Sequence, residues 1–434
     1  MSDTKVGLLG LGTVGTGVAR LLDEGADRVA RRAGRRVEIK WAAVRDRDRA
    51  RECSLARDQI VTDPQVILDD PEVAVVIEVM GGVDPAFDWI VRALTAGKDV
   101  VTANKALLAE RGAELFAVAK RQGRAIAFEA AVGGGIPIIQ ALGVGLAANQ
   151  VSGIAAIVNG TCNFILTAMT RDGLPYDQAL RQAQQLGYAE ADPTMDVDGT
   201  DTAHKLAVLA QIAFGANVTT AAIAREGIDR LQPADIAYAA ELGYVVKLLA
   251  LAEQTDAGLL LRVAPTLVRR GTPLADVQGP YNAVRVVGDA VGDTLFYGRG
   301  AGAMPTASAI VGDLIDVLIG RAALTARALD LWSDSVASPR LAPAGLARSR
   351  FYLRFTIADR PGVIAALSKI LGDHAISIAS LIQHDPGADA TPSTPVPLVM
   401  MTHLATAEDI NAALAEVDRL DVVRPPTVCL GVGE

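Results

Sequence analysis

An acid and an amine four residues apart, Asp201 and Lys205, close the strongest chemical cluster in the chain, GYAEADPTMDVDGTDTAHK, which begins at Gly187. A calcium loop fails on spacing: with Gly199 as its turn glycine, the first position is Thr194 and the last is Lys205 where glutamate is required. After Lys205 the run LAVLAQIAF is apolar around almost its whole circumference, which predicts a buried helix. Asp201 and Lys205 are i,i+4 neighbours at its start. Burial there weakens the ordinary reading of such a pair as a surface salt bridge.

Other motifs supply binding chemistry. Gly10-Leu11-Gly12-Thr13-Val14-Gly15 fits G-x-G-x-x-G between an apolar strand and a helix. Gly10 permits the tight turn, Gly12 lets the backbone approach a pyrophosphate, and Gly15 lets helix and strand pack closely. The competing reading is a Gly-rich structural turn. After the second strand, Arg45 suits a 2′-phosphate and Asp46 a free ribose hydroxyl. Arg45 comes first, which favours NADP over NAD; a solvated Arg/Asp loop is the alternative. In VTANK, Lys105 stands where a strand ends and a helix begins, the ligand-binding edge of a parallel sheet. A cation there opposes the helix dipole, so a purely structural lysine is less natural. Glu129 precedes Gly133-Gly134-Gly135 and Pro137, and one carboxylate with exposed carbonyls suits either a hard cation or a plain turn.

The elements that must position these groups alternate. Strand candidates at 5–9, 37–44, 73–80, 99–103 and 125–130 are separated by helical stretches such as 85–97 and 105–122. This predicts a Rossmann-like, doubly wound parallel sheet over 1–130, completed by about 303–330. Residues 131–302 turn mixed, a second, α+β domain, and 331–349 read as a linker rich in Ser, Pro, Ala and Arg. Residues 350–434 follow as β (from 351), α (from 363), β (376–383), β (396–403), α (407–420) and β (422–430), a ferredoxin-like βαββαβ unit.

Composition bounds the partners. The chain has 434 residues, half of them apolar, and a net charge of −9, which excludes disorder and argues against nucleic acid as a ligand. Cys53, Cys162 and Cys429 give neither a disulfide framework nor a zinc pattern, and a cytoplasmic location is expected. Residues 130–170 lack charge but are broken by Pro137 and several amides, so a buried segment including subunit interface is expected in place of a membrane span.

Through GLGTVG, VTANKALL, EAAVGGGIPII, NGTCNFIL, GYAEADPTMDVDGTDTAHKL and GAGAMPTASA, the chain resembles homoserine dehydrogenases of the longer, regulated type, with a C-terminal segment similar to an ACT domain. The resemblance spans residues 5 to 430. It implies NAD(P)-dependent interconversion of L-homoserine and L-aspartate 4-semialdehyde, with Lys205 as proton donor and acceptor and Asp201 as its catalytic partner. Lys105 then lies near nicotinamide and substrate, Glu190 and Asp196 contact substrate, and Gly187 and Gly302 approach the cofactor. A monovalent cation, Na+, falls to Glu129 and the carbonyls of Val132, Gly134 and Ile136. Threonine is the implied feedback ligand at the turn of Asp359 and Gly362, and a homodimer or homotetramer the implied assembly. The rival readings are a dehydrogenase of another amino acid and a non-catalytic cofactor-binding sensor.

Overall fold

The computed structural model describes residues 3–333, 337–385 and 395–433. The chain divides into two compact units: Met1–Gly160 with Thr200–Ile223 and Pro280–Pro339, and Thr161–Gly199 with Ala224–Gly279 and Arg340–Glu434.

The first unit is built on a six-stranded parallel sheet. Its spatial order is Ile60–Val61, Val37–Ala43, Thr4–Leu9, Val73–Glu78, Asp99–Thr102, Ile126–Ala127. The order reverses beside Thr4–Leu9, the crevice where such sheets take dinucleotides. Val6, Leu8, Ile77 and Val101 are fully buried, as strands covered on both faces require. Helix Ala303–Leu318 packs on the same core through Ile310 and Leu314. The strand expected over 125–130 is shorter: it stops at Ala127, and Glu129–Ala131 forms a 3-10 turn. The reason is a partner distant in sequence: the Glu129 N–H donates to Asp313 Oδ2 at 2.7 Å instead of continuing a ladder. Strand Tyr281–Gly288 pairs antiparallel with both Val151–Ile157 and Gly292–Arg299.

In the second unit, Tyr244–Thr255 and Gly258–Arg269 form a long antiparallel hairpin. The C-terminal βαββαβ unit consists of Phe351–Ala358, Val363–Asp373, Ile378–Ile382, Pro395–Thr402, Ala407–Val417 and Val428–Gly433. Its last strand starts at Val428 and not at Val422, because Pro425 and Pro426 have no N–H to give a ladder. That strand lies between Phe351–Ala358 and Gly258–Arg269, so one sheet runs through the hairpin and the βαββαβ unit. Of the expected linker, 331–349, residues 334–336 lie outside the described residues, while Leu259 N donates to Arg340 O and Ala342 N to Leu259 O, which ties residues 340–342 to the hairpin.

Candidate functional site

The buried helix Thr200–Phe214 carries Asp201 and Lys205, 5% and 9% exposed. Lys205 Nζ donates to Asp201 Oδ2 at 2.6 Å and to the Val158 carbonyl at 2.6 Å. Asn159 Nδ2 donates to the same carboxylate oxygen at 2.9 Å, and Lys105 Nζ lies 2.8 Å from the other. Burial alone would raise the Asp201 carboxyl; the charges of Lys205 and Lys105 outweigh it and hold the group well below the usual carboxylate range. Two ammonium groups are thus fixed around one ionised carboxylate. Next to them, burial lowers His204 against the raising influence of Asp201 and Glu110.

Lys105 owes its place to a chain of hydrogen bonds not visible in the sequence. Glu78, at the end of its strand and fully buried, accepts from Thr102 Oγ1 at 2.6 Å and from Met80 N at 2.8 Å. Thr102 Oγ1 in turn accepts from Asn104 N at 3.0 Å. Asn104 caps helix Lys105–Gln122 by accepting from Leu107 N, and its amide donates to the Gly82 carbonyl. The side chain of Lys105 is 38% exposed, so the ammonium meets both Asp201 and solvent.

The glycine loop has the expected division of labour. Gly10 has φ +104° and sits against Val79; a Cβ on Gly15 would stand 2.2 Å from the Gly10 carbonyl oxygen. A Cβ on Gly12 would meet nothing within 4 Å, and Gly12 and Thr13 are exposed, which leaves the amides at the start of helix Thr13–Glu24 open to a phosphate. Gly302, with φ +117°, precedes helix Ala303–Leu318. Arg45 is exposed, whereas Asp46 Oδ1 accepts from Asp48 N and Arg49 N and so shapes its own loop. Arg51 joins that loop to the glycines, donating to Leu11 O at 2.9 Å and Asp46 O at 2.6 Å; a separation of 40 residues hid it.

Glu129 is buried, and its two oxygens accept from Ile139 N and Gln140 N. Burial pushes its carboxyl up to about 7, and the nearby charge of Asp316 adds to the rise. A cation against this carboxylate would supply positive charge where Arg321, the arginine of the same pocket, is taken up by Asp316, so the residues fit one. No group of three or more His, Cys, Asp or Glu suited to a metal occurs among the described residues, so the remaining donors would have to be carbonyls such as Val132, Gly134 and Ile136. Gly187, Glu190 and Asp196 belong to the second unit, with Asp196 on helix Thr194–Val197. In the same unit, Asp359 accepts from Gln383 at 3.1 Å, and Gly362, with φ +91°, precedes helix Val363–Asp373. No helix among the described residues is long and apolar enough to cross a membrane.

Comparison with known proteins gives three domain matches: "Homoserine dehydrogenase, NAD binding domain" over 10–129, "Homoserine dehydrogenase" over 137–315 and "ACT domain" over 351–422. A homoserine dehydrogenase of Pseudomonas aeruginosa is 43% identical, over 100% of this chain and 99% of its own. One of Bacillus subtilis is 38% identical, over 98% and 97%. The solved homoserine dehydrogenase of Thiobacillus denitrificans superposes with a TM-score of 0.93 at 43% identity, covering 100% of this chain and 99% of that one. A hyperthermophilic archaeal homoserine dehydrogenase in complex with NADPH gives 0.61 at 25% identity, covering 74% and 98%.

Proposed function

Because the chain belongs to the homoserine dehydrogenase family and carries its NAD-binding domain, we propose that Lys205 moves the proton of the reacting oxygen, with Asp201 as its partner and Lys105 beside the reacting carbon. The enzyme is an oxidoreductase that interconverts L-homoserine and L-aspartate 4-semialdehyde. In oxidation, NAD(P) held at Gly10, Gly12 and Gly15 would supply the hydride acceptor for the terminal carbon of homoserine. The hydroxyl proton leaves to a neutral Lys205, directly or through one water, and the C–O bond becomes a carbonyl. In reduction, Lys205 as ammonium protonates the alkoxide. The observation that carries this reading is Asp201 held between Lys205 and Lys105: the carboxylate fixes both amines, Lys205 away from water and Lys105 at its edge.

The remaining assignments follow the same chemistry. Glu190 and Asp196 hold the polar groups of the substrate, while Gly187 and Gly302 approach the cofactor beside Gly10, Gly12 and Gly15. Arg45 selects NADP over NAD, in line with the NADPH bound by the archaeal relative. A monovalent cation, Na+, binds Glu129 with the carbonyls of Val132, Gly134 and Ile136 and fixes the loop. Threonine binds at the turn of Asp359 and Gly362 as feedback ligand. The enzyme works in the cytoplasm as a homodimer or homotetramer, with a cofactor domain (1–130 with 303–330), a catalytic and dimerisation domain (131–302) and a regulatory domain (350–434). The decisive experiment is Lys205→Met assayed with homoserine and NADP. Turnover should fall by ~10²–10⁴-fold while NADPH affinity stays within threefold; a loss of tenfold or less would assign the proton to another group.

A further inference from the structure

Within the second unit lies a cleft of about 970 Å³, lined by strand Gly258–Arg269, the adjoining strands Phe351–Ala358 and Val428–Gly433, and the segment 226–233. Arg262 projects into it. The Nε of Arg262 is buried and has no acceptor, and no carboxylate among the described residues lies within 4.0 Å of its guanidinium. Gly431 makes the room: a Cβ there would stand 3.3 Å from one terminal nitrogen.

An acid shares the face. Arg262 pairs in parallel with Ala224 and Val263 with Arg225, and Glu226 N donates to Val263 O at 2.8 Å. Alternation along both strands therefore puts Arg262, Ala264 and Glu226 on one side, and all three line the cleft. Diagonal neighbours in a sheet stand ~7–8 Å apart, and these two charges form no pair within 4.0 Å. Burial lowers the Arg262 guanidinium, with Glu253 and Cys429 opposing, and raises the Glu226 carboxyl, with Arg230 pulling the latter back and Asp229 adding to the rise. Two partly desolvated, opposite charges held apart are costly unless something bridges them.

The geometry points to this cleft as a binding site for a small α-amino acid, with its carboxylate on Arg262 and its ammonium on Glu226. The site is separate from the turn of Asp359 and Gly362. It also reaches the substrate segment. Ile228 N donates to Val197 O at 2.9 Å, and a Cβ on Gly227 would meet that oxygen at 2.3 Å, so residues 226–228 lie directly on helix Thr194–Val197 with its Asp196. Occupancy of the cleft is thereby felt at Asp196. This coupling, unlike the binding itself, rests on Asp196 contacting substrate.

Thermal shift of the full-length protein with each of the twenty standard amino acids selects the strongest binder, which is then titrated calorimetrically into wild type, R262Q, E226Q and D359N. Binding at the cleft should weaken at least tenfold in R262Q and in E226Q and stay within twofold in D359N, which removes only binding at the turn of Asp359 and Gly362. Propionate and ethylamine, each carrying one of the two charges, should not compete at equal concentration. If R262Q does not melt cooperatively, R262K, which keeps the charge and loses the fork, carries the test together with E226Q. The proposal is overturned if no amino acid shifts the wild type, if R262Q and E226Q bind within twofold of it, or if inorganic phosphate displaces the ligand equally well. Failure of the dehydrogenase reading would register separately, as absent homoserine-dependent NADPH formation in the wild type.

Discussion

Asp201 answers to groups from three separate stretches of chain, Lys105, Asn159 and Lys205, and its charge keeps two ammonium groups together. Asp201→Asn removes that charge while nearly keeping the shape, so kcat should fall ~10²-fold or more with NADPH affinity little changed; activity equal to wild type would leave Asp201 a structural salt bridge. The same variant has a pH signature. A carboxyl held below its unfolded value of ~3.9 adds stability above that pH and loses it as pH falls toward the folded value. The stability difference between wild type and D201N should therefore shrink from pH 5 to pH 2.5 in urea titrations. Arg45→Ala tests cofactor choice: only NADP offers a 2′-phosphate to the guanidinium, so kcat/KM should drop more for NADP than for NAD. An unchanged ratio would return Arg45 to a solvated loop. Asp201, Lys205 and Lys105 were legible in the sequence because spacing and position at a helix start are local signals. Glu78, Asn159 and Arg51 were not, since each acts on a partner brought close only by the fold.

The parallel sheet and its glycine turn could be read from alternating apolar runs, and Gly15 shows what that turn demands. Its missing Cβ would press on a backbone oxygen that cannot move aside, so Gly15→Ala should cost ~1–3 kcal/mol of stability and at least tenfold in NADPH affinity. Retention of both would show the loop to be more yielding than its geometry. Two strand ends differ from the apolar pattern: Glu129 is pulled from its strand by Asp313, a partner the sequence hides, whereas the prolines at 425 and 426 that delay the last strand are visible in it. Strand Tyr244–Thr255 contains a further surprise, the buried Lys247, which donates to Asn163 Oδ1 at 2.9 Å and also to the Val277 carbonyl. Burial lowers it to about 8, with Asp276 opposing. Between pH 8 and the unfolded value of ~10.4, the unfolded chain holds a proton that the folded one lacks, so stability rises with pH across that window. Relative to Lys247→Met, the wild type should gain up to roughly 3 kcal/mol on going from pH 7.5 to above pH 10; a flat difference would mean that Lys247 is charged in the folded protein.

For the whole molecule, the sequence predicts a C-terminal unit joined by a linker, and such a unit could be cut away at Pro339 without harm to the rest. The structure argues otherwise. Arg354 of the C-terminal unit pairs at 2.6 Å with Asp235, which is fully buried and caps helix Pro233–Glu241, and Tyr352 donates to the same carboxylate. Truncation at Pro339 strands that acid, a loss of ~3–5 kcal/mol in comparable buried pairs, and strips strand Gly258–Arg269 of its neighbour Val428–Gly433. The truncated chain should melt well below the full one and lose activity in step; full activity with an unchanged Tm would restore the linker reading. The shared sheet also has a consequence in time. Gly258–Arg269 leaves the ribosome long before its partner strand exists, since five elements of the βαββαβ unit are made in between. At ~5–20 residues per second, its edge waits on the order of ten seconds with unpaired N–H and C=O groups, an opening for wrong pairing with another nascent chain. The second unit must therefore finish folding late in synthesis or after it, and this one strand is where the nascent chain most needs shielding from wrong pairing.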